Sequence, residues 1–338
     1  YRDFMTILVT GGAGFIGTNF VFNHLSHNDD YIIVYDKLTY AGNKKNFGSF
    51  EHNNKFLFIE GDITDKKILK QVFIKYQPQT VINFAAETHV DNSIKSPEPF
   101  ITSNIIGTFS LLEIIRDYYE ALDVNNKKKF ILVNVSTDEV FGSLDLKSNP
   151  FTENSSFLPN SPYSATKASA DHLVRSYFQT YNIPSITTHC SNNFGPFQNE
   201  EKLIPKIIKN ALNWNKIPIY GDGKNVRDWL FVDDHCDALN LIIKTGKKGD
   251  SYNIGGENEI SNINLVKIIC NKLDDISPNS NGSYKNLISF IKDRPGHDIR
   301  YAVDSSKLKN DLGWKSKNTF YESMDYTLKW YLKNFIRK

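Results

Sequence analysis

Residues 135–142, VSTDEVFG, place two neighbouring acids directly after a short apolar strand. Burying the charges of Asp138 and Glu139 there is unfavourable unless they are paired or neutralised. A dry pocket and a neighbouring carboxylate both raise the pKa of an acid, so one member of such a pair can hold its proton near neutral pH. The pair could divide acid and base work. The alternative is a solvated pair at the start of a helix, where the dipole favours acids.

A second reactive pair lies in YSATK, residues 163–167. Tyr163 and Lys167 share one face if the segment is helical. An ammonium group beside a phenol favours the phenolate, which can take a hydroxyl proton while hydride leaves to a nicotinamide. The Thr137 hydroxyl is placed to hydrogen-bond the same reacting oxygen. The alternative is an exposed Tyr–Lys pair, which is common on helices.

A glycine motif, TGGAGFIG at residues 10–17, indicates where a nicotinamide cofactor would bind. Gly12, Gly14 and Gly17 form a G-x-G-x-x-G pattern, and Gly11 adds G-x-x-G-x-x-G. A strand precedes the motif and an amphipathic helix follows it. The glycines let the backbone approach a pyrophosphate, which then lies on the helix N-terminus. A tight structural turn is the alternative.

Asp36 ends the next strand, where an acid accepts hydrogen bonds from the adenosine ribose hydroxyls. This carboxylate would repel a 2′-phosphate, so the sequence favours NAD over NADP, although the adjacent Lys37 weakens that preference slightly. Further cofactor contacts are expected after the third and fourth strands, at Asp62, Ile63, Ala85 and Ala86.

Strand-like and helix-like segments alternate through the first two-thirds of the chain. Short, continuously apolar strands separated by helices indicate a parallel sheet covered on both faces, and right-handed crossovers make it doubly wound. The predicted strands are 6–9, 32–36, 56–62, 80–86, 130–136 and 184–192, and the predicted helices are 15–26, 65–76, 98–120 and 162–181.

After Asn193 glycine and proline are frequent, and helices at 202–213, 233–245, 261–273 and 320–334 are separated by long loops. We therefore expect a Rossmann-type α/β fold with an NAD-binding domain over residues 1–193 and returning segments at about 222–254. Residues 194–338 would form mainly a smaller, interleaved α/β lobe that binds substrate. Residues 274–286 read as a mobile polar surface loop.

The overall composition excludes several classes of protein. The 338 residues carry a net charge of +2 without a long run of one sign, which argues against nucleic-acid and membrane-surface binding. Three distant cysteines without a CxxC pattern exclude a zinc ribbon and make a disulfide framework unexpected. We predict no metal. No apolar run reaches transmembrane length, and YRDFMTILV has no signal-peptide h-region, so a cytoplasmic protein is expected.

These motifs resemble the extended short-chain dehydrogenase/reductase superfamily, and further stretches resemble one member family, the dTDP-glucose 4,6-dehydratases. The resemblance runs from about residue 5 to 335. The glycine and Tyr–Lys motifs are specific only to the superfamily. The stretches that point to the family are YDKLTYAGN (35–43), GDITD (61–65), AAETHVDNSI (85–94), STDEVFG (136–142), YSATKA (163–168), SNNFGP (191–196), EKLIP (201–205), PIYGDGKNVRDWLFVDDH (218–235) and DRPGHD (293–298).

The resemblance implies a three-stage reaction on a nucleotide-linked glucose in deoxysugar biosynthesis, such as that of rhamnose. Bound NAD oxidises C4 with the help of Tyr163, water is then lost across C5 and C6, and hydride returns to C6. Glu139 would be the C5 base and Asp138 the C6 acid. The product would be dTDP-4-keto-6-deoxy-glucose.

A sugar nucleotide needs cations for its diphosphate and a flat surface for its base. Arg227 and Arg294 can bind phosphate oxygens in bidentate fashion, with help from Lys202. His297 could contact phosphate or ribose, and Tyr220 could stack on the pyrimidine. Asn192 and Asn193 can orient sugar hydroxyls or the nicotinamide amide. Ordinary surface cations and a core tyrosine are the alternatives at these positions.

By resemblance, further residues of the same stretches belong to the two sites. The additional cofactor candidates are Phe15, Ile16, Thr39 and Ser103, and the additional substrate candidates are Thr88, Glu201, Leu203, Pro218 and Asn262. The chain departs from the family pattern at Ser103, Phe141, Phe194 and Glu200. None of these departures touches the assigned acid, base or Tyr–Lys pair.

Other functions share part of this pattern. A sugar-nucleotide 4-epimerase needs the cofactor motif and the Tyr–Lys pair but not an acid–base couple for C5 and C6. A decarboxylase of nucleotide-glucuronate would need a positive group for the substrate carboxylate, where this chain has acids. A non-catalytic NAD-binding scaffold could keep the glycines and lose the chemistry. Helices 98–120 and 162–181 carry apolar positions beyond one stripe, and in the superfamily such helices pair as a four-helix bundle, so the resemblance implies a homodimer. The alternative is that both helices are covered within one chain.

Overall fold

The computed structural model describes residues 4–335 of the chain. Residues 1–3 and 336–338, and with them the start of the segment searched for a signal peptide, lie outside the described residues. Twelve strands are found between residues 4 and 335: β1 Thr6–Thr10, β2 Tyr31–Asp36, β3 Phe56–Glu60, β4 Thr80–Asn83, β5 Ile131–Thr137, β6 Ser185–Cys190, β7 Asn192–Phe194, β8 Ile217–Tyr220, β9 Val226–Phe231, β10 Ser251–Ile254, β11 Glu259–Ser261 and β12 Ile288–Ile291.

The same part of the chain contains twelve α-helices: α1 Phe15–His27, α2 Lys66–Tyr76, α3 Val90–Lys95, α4 Glu98–Phe100, α5 Gly107–Ala121, α6 Val124–Lys129, α7 Pro162–Tyr181, α8 Leu203–Leu212, α9 Val232–Thr245, α10 Asn262–Ile276, α11 Ser306–Leu312 and α12 Phe320–Phe335. A π-helical turn, Ile101–Ile106, joins α4 to α5, so the helix predicted at 98–120 is continuous but not uniformly α-helical.

Seven strands form one sheet in the order β10-β6-β5-β4-β1-β2-β3, and every neighbouring pair is parallel. The direction of winding reverses between β1 and β4, which confirms the doubly wound Rossmann-type fold. Two small sheets, β11-β9-β7 and β12-β8, lie in the later part of the chain. Strand β10 sits at the edge of the large sheet beside β6, although it comes late in the sequence.

The large sheet is apolar on both faces, which explains why its strands read as continuous hydrophobic runs. In β1, Ile7 and Val9 join one buried cluster, and the intervening Leu8 joins another. Helices α1 and α9 pack together on one face, and α2, α5 and α7 cover the other. A central parallel sheet with two covered faces leaves its strand ends as the place for polar chemistry.

Residues 274–286, predicted as a polar surface loop, are tied to the end of α10. The Asp274 carboxylate accepts hydrogen bonds from the Ser283 hydroxyl at 2.6 Å and from the Tyr284 backbone at 2.9 Å. Tyr284 is buried and donates its own hydroxyl to the Ser277 carbonyl at 2.7 Å. This segment, rich in asparagine and serine, therefore contains a buried tyrosine that its polar composition did not indicate.

Gly11 occupies the point where β1 turns into the glycine loop, and it has a φ of +68°. A Cβ at this position would overlap the backbone of Ala85, which follows β4. We therefore expect Gly11→Ala to lower the free energy of unfolding by about 1–3 kcal/mol. Urea denaturation measures this quantity. Gly48→Ala is the matched control, since a Cβ there meets nothing within 4 Å, and an equal loss in both variants would contradict the prediction.

Candidate active site

A cavity of about 280 Å³ opens at the carboxyl ends of the parallel strands. Six of the seven strands, β1 to β6, contribute residues at or just beyond their ends, as expected for a site at the winding reversal. All of the predicted cofactor residues line this cavity: Gly11, Gly14, Phe15, Ile16, Gly17, Asp36, Lys37, Thr39, Asp62, Ile63, Ala85, Ala86, Ser103, Tyr163, Lys167 and Asn193.

The N-terminus of α1 faces this cavity with backbone groups rather than side chains. Gly14 caps the helix without a side-chain hydrogen bond, and Phe15, Ile16 and Gly17 follow it along the cavity wall. The first N–H groups of a helix have no partner within the helix and carry partial positive charge. This end of the cavity fits a pyrophosphate.

Asp36 is held at the end of β2 by two backbone donors, the N–H of Ala13 at 2.9 Å and the N–H of Leu38 at 2.7 Å. A carboxylate can accept further bonds, so it retains capacity for ribose hydroxyls. Lys37, which weakened the preference for NAD in the sequence, is engaged elsewhere: its ammonium lies 2.9 Å from Ser103 Oγ and 3.5 Å from Asp62 Oδ2. The residues present therefore fit NAD.

Tyr163 and Lys167 lie one turn apart on α7, and both are buried at the cavity. Lys167 Nζ donates to the Val135 carbonyl of β5 at 2.8 Å. Burial and the nearby Glu139 raise the pKa of Tyr163 well above its ordinary value, while a hydrogen bond with Thr137 opposes the rise. The sequence predicted that the ammonium group of Lys167 favours the phenolate, and burial acts in the opposite direction on the same hydroxyl group.

Thr137 ends β5 and caps the short 3₁₀-helix that carries both acids, Asp138–Phe141. Its Oγ1 accepts the Glu139 N–H at 3.3 Å and donates to Asp138 Oδ1 at 3.3 Å. This cap fixes the backbone from which the two carboxyl groups project into the cavity. Thr137, Tyr163 and the two acids are therefore brought together, as the sequence predicted.

The two acids have different surroundings. Asp138 is only 2% exposed, and its Oδ2 has no hydrogen-bond partner. Burial, Glu139 and Asp228 raise the pKa of Asp138 well above its ordinary value, so this carboxyl group keeps its proton. Burial also raises the pKa of Glu139, but the cations Arg294, Arg227 and Lys202 oppose the rise. Cations therefore counteract burial much more at Glu139 than at Asp138, so the two carboxyl groups have different electrostatic environments.

The substrate candidates fall into two groups. Thr88, Asn192, Glu201 and Lys202 line the cavity. The remaining candidates lie outside its lining: Leu203, Pro218, Tyr220, Arg227, Asn262, Arg294 and His297.

Arg227 and Arg294 are the members of the outer group that act on Glu139. Arg227 is 5% exposed, bonds to the carbonyls of Val226 at 2.7 Å and Asp298 at 3.0 Å, and lies 4.3 Å from the centre of the Tyr301 ring. These hydrogen bonds of Arg227 go to backbone carbonyls, not to carboxylates. Arg294 approaches Asp91 at 3.4 Å, and its buried Nε has no partner. Two guanidinium groups thus retain donors suited to an anion.

Tyr220 and His297 form an edge-to-face pair near Arg294, with ring centres 6.2 Å apart. The Tyr220 hydroxyl donates to Asp91 Oδ2 at 3.2 Å, and His297 Nδ1 lies 2.6 Å from Asp293. Asp91 therefore joins Tyr220 to Arg294. Sequence reasoning missed Asp91, although it belongs to the quoted stretch AAETHVDNSI.

The remaining candidates outside the cavity lining have weaker links to Arg227 and Arg294. Asn262 begins α10 with a buried, unpartnered Oδ1. Leu203 begins α8, and Pro218 lies in β8.

Sequence reasoning also missed Ser93, whose buried hydroxyl accepts the Tyr163 N–H at 3.2 Å.

A buried histidine, His235, orients the side-chain amide of Asn193. Its Oδ1 lies 2.9 Å from His235 Nδ1. Burial lowers the pKa of His235 to about 3, so the imidazole is neutral and donates one hydrogen bond. This contact fixes the Asn193 amide at the cavity wall.

Three side-chain contacts form a latch over the cavity. The Tyr40 hydroxyl donates to Glu201 Oε1 at 3.0 Å, and the Asn199 amide donates to the Tyr40 carbonyl at 3.3 Å. Lys202 Nζ donates to the Thr88 carbonyl at 2.9 Å. The latch joins the segments after β2 and β4 to the segment before α8.

Among residues 4–335, no group of three or more His, Cys, Asp or Glu side chains is arranged to hold a metal ion. The three cysteines are free and buried. None of the helices in the described part of the chain has the length and hydrophobicity needed to cross a membrane.

Comparisons with known proteins agree with this geometry. The family model for GDP-mannose 4,6 dehydratase matches residues 8–327. A dTDP-glucose 4,6-dehydratase of Xanthomonas campestris is 48% identical over 330 residues, covering 97% of this chain and 93% of its own.

Solved structures of the same enzyme share the fold. The dTDP-glucose 4,6-dehydratase of Bacillus anthracis in complex with NAD has a TM-score of 0.86 and 44% identity, covering 98% of this chain and 97% of its own. The Streptomyces venezuelae enzyme, with NAD and a second ligand, has a TM-score of 0.89 and 39% identity, covering 98% of each chain. With identity this high over nearly the full length, the chain belongs to the dTDP-glucose 4,6-dehydratase family.

Proposed function

We propose that this chain is an NAD-dependent hydro-lyase that converts dTDP-glucose to dTDP-4-keto-6-deoxy-glucose and water. The observation that carries the proposal is the pair Asp138–Glu139, which lines one cavity with Tyr163 but has two different electrostatic environments. An oxidoreductase or an epimerase needs the tyrosine and the cofactor. Only an elimination gives separate work to a protonated and an ionised acid.

The first step needs the proton of the sugar C4 hydroxyl to be removed. Bound NAD supplies the two-electron oxidant for this step and the reductant that closes the cycle. Tyr163 accepts the hydroxyl proton, and the Thr137 hydroxyl holds the same oxygen. The positive charge of Lys167 favours the phenolate that this transfer requires, against the burial that raises the pKa of Tyr163.

The second step is the loss of water. The C4 ketone acidifies the C5 proton, which Glu139 accepts. The C5 electron pair forms the C5–C6 double bond, and the C6 hydroxyl leaves as water with the proton donated by Asp138. The cations around Glu139 oppose the rise of its pKa and so favour the carboxylate, whereas the dry surroundings of Asp138 raise its pKa and favour the protonated form.

Arg227 and Arg294 would bind the diphosphate of the substrate, with Lys202 nearer the sugar, and Tyr220 and His297 would contact the nucleoside. The burial of Arg227 and the unpartnered Nε of Arg294 support this assignment. Because Glu139 and the substrate diphosphate would share the same cations, binding and base strength are coupled in this site.

The division into two lobes is also part of the proposal. Residues 1–193, with returning segments at about 222–254, would hold the cofactor, and residues 194–338 would mainly hold the nucleotide. A homodimer through helices 98–120 and α7 is supported by exposed apolar side chains on the first of them, at Ile101 and Ile106 in the π-helical turn and at Phe109 in α5. Sedimentation velocity should give the mass of two chains, and a single-chain mass would contradict the dimer.

The product of incubation with dTDP-glucose tests the function directly. We expect a sugar nucleotide lighter by one water, absorbance of a 4-keto-6-deoxy sugar in alkali, and no net NADH. A 4-epimerase would give an isomer of unchanged mass without that absorbance. UDP-glucose, tested in parallel, separates thymine from uracil preference, and bound NAD without turnover on either substrate would support the scaffold alternative.

We expect Glu139→Gln and Asp138→Asn each to lower kcat by about 10²–10⁴-fold, because each removes one proton-transfer group. NAD affinity should stay near the wild-type value, since the pyrophosphate and ribose sites lie elsewhere on the cavity wall. Steady-state kinetics and NAD titration measure the two quantities. Wild-type turnover in both variants would contradict the assignment.

The pH profile tests the link between Arg294 and Glu139. Glu139 must be ionised to act as a base, so kcat falls as the pH drops through its pKa, which burial raises. Removing the cation in Arg294→Gln raises that pKa further, and we expect the acid limb to move to higher pH by roughly half to one unit. The KM for dTDP-glucose should rise as well.

Lys224→Gln is the matched control for the loss of one positive charge. Lys224 is exposed, pairs with Asp222 at 2.7 Å, and is not among the charges that act on Glu139. Its acid limb should coincide with that of the wild type. If the acid limb of Arg294→Gln also coincides with the wild type, Arg294 does not tune Glu139.

A further inference from the structure

Helix α7 carries a buried acid that takes no part in the mechanism above. Asp171 lies one turn after Lys167, is 4% exposed and does not line the cavity. A buried carboxylate is costly unless its charge is compensated. Its partners therefore indicate what it does.

Strand β5 supplies a donor to each oxygen of this carboxylate. Asn134 Nδ2 donates to Oδ1 at 3.0 Å, and the Ser136 hydroxyl donates to Oδ2 at 2.6 Å. On β6, His189 Nε2 lies 3.4 Å from Oδ2. Hydrogen bonds donated to both oxygens favour the ionised form.

A row of buried polar side chains continues this arrangement across the sheet. Thr10 Oγ1 donates to Asn83 Oδ1 at 2.8 Å, and Asn83 Nδ2 donates to Asn134 Oδ1 at 3.0 Å. Thr10, Asn83 and Asn134 are direct neighbours in the registers of β1, β4 and β5. Every donor in the row points toward Asp171, so the aligned bonds stabilise a negative charge at its end.

Lys167 is a buried cation, so it needs a negative charge nearby rather than hydrogen-bond donors. Its ammonium group donates a hydrogen bond to the Val135 carbonyl, and burial lowers its pKa. Asp171 is the largest influence that raises this pKa, and the second is Cys190 on β6. The Cys190 thiol is neutral, because burial raises its pKa to about 12. The other titratable groups near Lys167 are Tyr163, one turn earlier on α7, and two acids that follow β5. These acids, Asp138 and Glu139, act on Tyr163.

We propose that Asp171 is a positioning residue that keeps the Lys167 ammonium charged beside Tyr163, and that the row formed by Thr10, Asn83 and Asn134 holds the Asp171 carboxylate in place. The row begins at the residue before Gly11, so it joins the cofactor loop to the helix that carries the Tyr–Lys pair. The assignment of a catalytic task to Lys167 rests on the proposed function, whereas the charge of Lys167 is a property of the folded chain.

The pKa of Lys167 can be measured directly on the full chain. Lysine labelled with ¹³C at Cε gives a pH titration by nuclear magnetic resonance, and Lys167→Arg identifies the signal. We expect Asp171→Asn to lower the pKa of Lys167 by about one unit or more. Lys167 must stay protonated to act, so the alkaline limb of NAD reduction on mixing with dTDP-glucose should move to lower pH by the same amount.

Two further variants separate charge from structure. Asp171→Glu retains the charge, so it should restore most of the Lys167 pKa. Thr10→Val removes the first donor of the row and keeps the Asp171 carboxylate, so it should lower the pKa of Lys167 by much less than Asp171→Asn does.

An unchanged Lys167 pKa in Asp171→Asn, with kcat reduced equally at every pH, would overturn the proposal. So would a wild-type Lys167 pKa below neutral pH, a result that does not depend on any variant folding. Absence of turnover on dTDP-glucose would instead reject the proposed function and leave the titration interpretable.

Discussion

Removal of water from the end of β5 is the constraint on which the site depends. Asp138, Tyr163 and Lys167 are each buried where a charge is costly, and burial is the largest influence on the pKa of every one of them. Desolvation makes Asp138 a proton donor, but it also opposes the phenolate and the ammonium. Local charges counteract desolvation at particular groups. Cations lower the pKa of Glu139, and the Asp171 carboxylate raises the pKa of Lys167.

The parallel sheet makes this selective correction possible. The carboxyl ends of its strands meet along one edge, so short segments from distant parts of the sequence contribute single side chains to one cavity. The later part of the chain adds Arg227 and Arg294, whose positive charges act on Glu139. The sheet also provides the register that aligns the polar row from Thr10 to Asn134.

Local patterns predicted most of the fold and the cavity. Continuous apolar runs predicted six of the seven strands of the large sheet but not β10, and the glycine and Tyr–Lys spacings located residues that line one cavity. Tertiary contacts remained hidden, because they join residues that are remote in sequence. Asp91, Ser93 and Asp171 became visible only through partners such as Arg294, Tyr163 and Asn134. The spacing of Tyr163 and Lys167 showed a charged neighbour but not the extent of burial, which raises the pKa of Tyr163.

The latch formed by Tyr40, Asn199 and Lys202 has a consequence for the exchange of the dinucleotide with solution. Its three contacts join the segments after β2 and β4 to the segment before α8, and all three segments help to line the cavity, so we expect an intact latch to slow the departure of a bound dinucleotide. An ordinary dehydrogenase must release its reduced cofactor after each turnover, and such a closure would slow it. A catalyst that reoxidises the dinucleotide within every cycle has no such step. Here the cofactor can stay in place through many turnovers, as a prosthetic group does, while only the sugar nucleotide enters and leaves.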